Sequence, residues 1–191
     1  MIFAGIDYSY TSPGICIYDD VLDPTFDNLL FFNLMEDANR NSIKKAGVYG
    51  NIRIDLRKKW TCAEERYFYN AEWTCKILAD HKVEQVAIEG YAMGARAGLV
   101  FNIAENTSLV KQYMFHNGIA FETPAPTSVK KSFTGKGNAK KEQMVDRFHE
   151  IFPHIQLDKV LGTKEYAKPI DDLVDGFANM TTHSKLERKF A

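Results

Sequence analysis

Cysteine is scarce in this 191-residue chain, and what there is has no metal-binding spacing: Cys16, Cys62 and Cys75 are odd in number and form no CxxC pair. That argues against a disulfide framework and against a thiolate zinc site, and leaves core positions in a reducing compartment. Long apolar runs are missing too. The longest, at residues 1–6 and 29–32, fall far short of the roughly 18 residues a membrane span needs, so no membrane partner is expected. Asp7 interrupts the apolar start and no cationic leader precedes it, so a secretory signal is not expected and the cytoplasm is the expected location. The chain has no GxxxxGK[ST] run, which excludes an ATP-binding P-loop, and no internal repeat. An excess of charge of one sign is also lacking: 24 Lys and Arg stand against 25 Asp and Glu, a net charge of −1.

What is present suffices for a globular core. Hydrophobic residues make up 45% and aromatics 13%, enough to exclude disorder, and a chain of this length folds as a single domain that buries about 70% of its extended surface. The charges are segregated. Residues 126–141 hold Lys130, Lys131, Lys136, Lys140 and Lys141 with no acid, and residues 39–60 hold Arg40, Lys44, Lys45, Arg53, Arg57, Lys58 and Lys59 against Asp55 alone. Phosphate affinity follows the local field more than the total, so the near-zero sum does not exclude nucleic acid. Two solvated faces remain the ordinary alternative.

Apolar stretches at 2–9 and 15–18, separated by Ser12-Pro13-Gly14, predict two antiparallel strands, and residues 29–35 a third. Residues 35–60 read as an insertion or mobile loop. Helical spacing marks 62–81, 98–116, 139–152 and 170–186, with strands at 83–88 and 119–122 and a basic glycine-containing loop between Pro126 and the 139–152 helix. A hairpin-led sheet whose later strands are joined through helices is an α/β domain with a mixed central sheet and helices on both faces.

Four acids stand out. Asp7 lies in an otherwise apolar strand, where an unpaired carboxylate would cost several kcal/mol. Glu89 ends a second apolar strand beside Gly90. Asp172 and Asp175, spaced i,i+3, share a helix face next to Leu173, Val174, Phe177 and Met180. Singly, these read as turn caps, a solvated strand end and an acidic helix start. Together, four carboxylates without a His or Cys cluster suit hard cations such as Mg²⁺ or Mn²⁺, and two such ions about 4 Å apart would support phosphodiester cleavage. The basic segments would hold a DNA backbone over that centre.

The motifs Gly5-Ile6-Asp7, Val86-Ala87-Ile88-Glu89, the run from Phe133 to Gln143 that contains Thr134-Gly135-Lys136-Gly137, and Asp172-Leu173-Val174-Asp175 with His183 downstream resemble those of RuvC-type Holliday-junction resolvases. The resemblance implies an RNase H-like fold and metal-dependent cutting of four-way or other branched DNA by a homodimer, through paired symmetric nicks. It also implies that Asp7, Glu89, Asp172 and Asp175 are the metal-binding acids, with two Mg²⁺ ions per site, and that Lys141 contacts phosphate or stabilises charge at the cut. Tyr91, Arg96, Lys130, Lys131, Lys136 and Lys140 are the DNA-binding candidates, Tyr91 as the aromatic that stacks on an unpaired base. The chain departs from the pattern where Asp7-Tyr8-Ser9 replaces the usual glycine turn. It departs again at residues 35–60, a longer stretch than in bacterial members and closer to phage-encoded ones. A non-catalytic branched-DNA-binding protein of the same fold is the alternative. An actin-like ATPase or sugar kinase, which also opens on Gly-Ile-Asp, needs two lobes, and 191 residues are too few for them.

Overall fold

A computed structural model describes residues 1–36, 45–91, 97–186 and 189–190, without the side chains of 97–99. Strands β1 (Ile2–Asp7), β2 (Gly14–Asp19) and β3 (Leu29–Glu36) are followed by β4 (Gly47–Tyr49), β5 (Ile52–Arg57) and helix α1 (Ala63–Asp80). Then come β6 (Gln85–Ile88), α2 (Ala97–His116), β7 (Ala120–Glu122), α3 (Pro126–Thr134), α4 (Lys141–Ile151), α5 (Leu157–Leu161) and α6 (Ile170–Thr181). One seven-stranded sheet runs β4-β5-β3-β2-β1-β6-β7. The hairpin strands pair antiparallel, whereas β6 joins β1 and β7 joins β6 in parallel through helical crossovers. The mixed sheet expected from the strand and helix order is thus present.

Alternation along β1 divides the core in two. Phe3 faces a cluster with Tyr18, Phe31, Phe148, Phe177 and Leu186, covered by α3 to α6. Ala4, Ile6 and Tyr8 face the opposite cluster with Leu78, Val86, Val110 and Met114, covered by α1 and α2. Helices therefore lie on both faces.

Several elements differ from the sequence expectation. The described part of 35–60 carries β4 and β5, which extend the sheet beyond β3: Ile52 and Ile54 are buried while Arg53 between them is exposed, a two-residue period hidden among basic residues. The basic segment after Pro126 is not a loop throughout. Pro126 starts α3, where its fixed φ fits the first turn, Val129 and Phe133 bury one face, and Gly135 closes the helix at φ 79°. The last helix stops at Thr181 rather than Leu186. No helix of the described residues is long and apolar enough to cross a membrane.

Candidate active site

Asp7 is the last residue of β1, and Glu89 follows β6 immediately. Ile6 pairs with Ile88 in the parallel ladder, and the Glu89 amide donates to the Ile6 carbonyl at 3.0 Å, so Asp7 and Glu89 stand side by side at the carboxyl ends of neighbouring strands. Asp7 lies two residues beyond Gly5 and therefore points to the same face. On that face α6 presses on the sheet. A Cβ on Gly5 would collide with the α6 backbone at Gly176 and Met180, and one on Gly14 with the Asp172 carbonyl. These glycines let a helix settle against two strands with no side chain between them, which brings the first two turns of α6, carrying Asp172 and Asp175, to the strand ends.

The electrostatics follow from that convergence. Asp7 is 9% exposed and its carboxyl is held well above the usual range by burial and then by the charges of Asp175, Glu89 and Asp172, against which Lys168 acts. Burial, and then the charges of Glu89, Asp172 and Asp171, push Asp175 up to about 7, against which Lys141 acts. Burial also raises Glu89, with Lys130 opposing, and raises Asp172, with Lys168 opposing. The repulsion that Asp7 and Asp175 feel from the other acids marks carboxyls that share one site. Asp172 itself is turned to other partners. Its Oδ2 accepts from Ser12 Oγ at 2.7 Å, and Lys168 Nζ donates to Oδ1 at 2.9 Å and to Oδ2 at 3.1 Å. Asn33, fully buried on β3, donates to Ser12 Oγ at 3.2 Å and to the Pro13 carbonyl at 3.1 Å. In this arrangement no three His, Cys, Asp or Glu side chains among the described residues close on one point tightly enough to hold an ion.

The basic candidates divide. Lys141, at the start of α4, donates to Asp171 Oδ2, and that bond raises its pKa. Lys130, on α3, faces Glu89, whereas Lys131, Lys136 and Lys140 are exposed. Tyr91 is half-buried, with the Lys111 ammonium 5.0 Å from its ring centroid. Arg96 lies outside the described residues. His183 is a core group, 2% exposed and edge-on to Phe3 at 5.1 Å, with Nδ1 3.9 Å from Glu122. Ser12, Asn33 and Lys168 were not expected from the sequence. Of these only Lys168 carries a sequence signal, its i,i+4 spacing to Asp172.

The model of a family described as crossover junction endodeoxyribonuclease RuvC matches residues 49–171, more than half of the chain. The chain belongs to the RuvC family. The matched span includes Glu89 and Lys141 and stops one residue before Asp172. RuvC of Sulfurovum sp. is 27% identical over 85% of this chain and 91% of its own, and that of Fusobacterium nucleatum 31% over 77% and 69%. The Thermus thermophilus RuvC structure in complex with Holliday junction substrate covers 96% of this chain and 92% of its own with a TM-score of 0.61 at 20% identity, and so shares the fold. Both RuvC relatives bear the name of a crossover junction endodeoxyribonuclease.

Proposed function

We propose that this RuvC-family endodeoxyribonuclease resolves four-way DNA junctions, and other branched DNA of similar shape, by paired symmetric nicks that depend on a divalent metal. The observation that carries the reading is the meeting of Asp7, Glu89, Asp172 and Asp175 at the carboxyl ends of β1 and β6 and the start of α6. The donor chemistry fits hard divalent ions, Mg²⁺ with Mn²⁺ as substitute: all four ligands are carboxylates, and burial raises each of them above its ordinary value, so that a bound cation would supply the counter-charge that Lys130 and Lys168 provide only in part. Two ions held by these acids would activate a water and stabilise the leaving oxygen. Asp7 and Glu89 would supply the strand-end ligands, Asp172 and Asp175 the helix ligands. Lys130 and Lys141 would neutralise the phosphate nearest the acids, with Lys131, Lys136 and Lys140 following the backbone and Tyr91 meeting an unstacked base.

A homodimer suits the substrate, because two sites related by a two-fold axis match two strands of a junction. The chain would work as one nuclease domain in the cytoplasm, where its DNA lies, with residues 35–60 as a family-variable insertion whose strands β4 and β5 extend the sheet beyond β3. The test is a nicking assay on a synthetic four-way junction with Mg²⁺ and an EDTA control, together with the mass in solution. Two symmetric nicks from a dimer are expected. Junction binding without nicking in Mg²⁺ or Mn²⁺ would favour a non-catalytic binding protein.

A further inference from the structure

Lys168 stands four residues before Asp172, at the end of the loop that enters α6. Its ammonium reaches both carboxylate oxygens of a side chain that is only 5% exposed, while the lysine side chain itself is 42% exposed. The Lys168 backbone is tied down separately, since its carbonyl accepts from Lys45 Nζ at 2.7 Å. Its backbone is therefore held while its side chain stays open to solvent. Lys141, by contrast, pairs with Asp171, outside the four-acid set. Ser12 holds Asp172 Oδ2 through a separate bond of 2.7 Å.

An ammonium and a divalent ion cannot both occupy the oxygens of one carboxylate, because like charges a few ångströms apart in a partly dry site repel strongly. We propose that Lys168 is the resident counter-ion of the acid cluster: it holds Asp172 charged and aimed while no divalent cation is bound, and gives way when one binds. The inference rests on the reading of the four acids as metal ligands. Its consequence is that the charge of Lys168 sets how much metal the protein requires, so removing that charge lowers the requirement.

The test is a calorimetric titration of the full chain with Mn²⁺, without DNA, for the wild type and for Lys168→Gln, Lys168→Met and Lys168→Arg, with cooperative melting as the check on folding. Loss of one competing unit charge at this distance is expected to tighten Mn²⁺ binding about tenfold in the two neutral variants, with Lys168→Arg close to wild type. The Mg²⁺ concentration for half-maximal junction cutting should fall by a similar factor in the neutral variants. Equal or weaker Mn²⁺ binding in both neutral variants, with the wild type binding normally, overturns the role of Lys168 and leaves the ligand reading intact. A wild type that takes up no Mn²⁺ overturns the ligand reading, and this inference with it.

Discussion

Asp7 and Ser12, five residues apart on one hairpin, are placed to do opposite things. Burial, and after it the neighbouring acids, hold the Asp7 carboxyl well above the usual carboxylate range, so as a charge it works against the fold. Asp7→Asn keeps the shape and removes the repulsion. The variant should be about 0.5–2 kcal/mol more stable than the metal-free wild type while cutting junctions about 100- to 1,000-fold more slowly with junction binding retained. Melting curves in EDTA and a gel-shift assay beside the nicking assay would show it, and cutting at the wild-type rate would remove Asp7 from the site. Ser12 touches nothing that reacts. It orients Asp172, and it is itself held by Asn33. Ser12→Ala should cost about 1 kcal/mol for the lost bond and about 10- to 100-fold in metal affinity or cutting, measured by the same two assays. The acids were legible in the sequence because a carboxylate ending an apolar strand is an anomaly that demands a partner. Ser12 and Asn33 were not, because a turn serine and a strand asparagine gain meaning only from a helix 139 or more residues away.

At the scale of elements, the site is made by how closely α6 approaches β1 and β2. Gly5, Gly14 and Gly176 form a patch of bare backbone between helix and sheet, and the atoms a new Cβ would strike are main-chain atoms and the Met180 Cβ, none of which has a rotamer to adopt. Gly14→Ala should push the first turn of α6 off the sheet, at a cost of about 3 kcal/mol or more, and take Asp172 away from Asp7. Cutting and Mn²⁺ uptake should fall together, whereas an alanine at Gly118, which has open space around it, should leave both unchanged apart from the strain of its φ of 66°. A Gly14→Ala protein with normal melting and normal cutting would show that the close approach is not needed.

The sequence conveyed this contact in part: a last helix, read as 170–186, and the strands on either side of Ser12-Pro13-Gly14 were readable, but not that they touch. It hid α3 and β5 for a different reason. Their lysines and arginines read as a loop, and only Val129 with Phe133, and Ile52 with Ile54, keep the periods that the packed fold uses. Local charge dominated the text, and burial of a few side chains per element decided the structure.

At the scale of the whole molecule, the acid cluster makes stability depend on pH and metal together. In the fold Asp7, Glu89, Asp172 and Asp175 all hold their protons to higher pH than they do in the unfolded chain, where such groups titrate near pH 4. Between pH 4 and the folded-state values, about 7 for Asp175, the native state therefore binds more protons than the unfolded state, and stability falls as pH rises. Each proton of difference contributes about 1.4 kcal/mol per pH unit. A divalent cation binds the ionised carboxylates, so it stabilises most where the protons have been lost. The melting temperature of the protein in EDTA should fall between pH 5 and pH 8, and Mg²⁺ should raise it by a larger step at pH 8 than at pH 5. Lys168→Gln, which removes the counter-charge on Asp172, should steepen the fall in EDTA and enlarge the Mg²⁺ step. A metal-free melting temperature that stays level or climbs over this range, with equal Mg²⁺ steps at both ends, would mean that the four carboxyls do not titrate as one cluster.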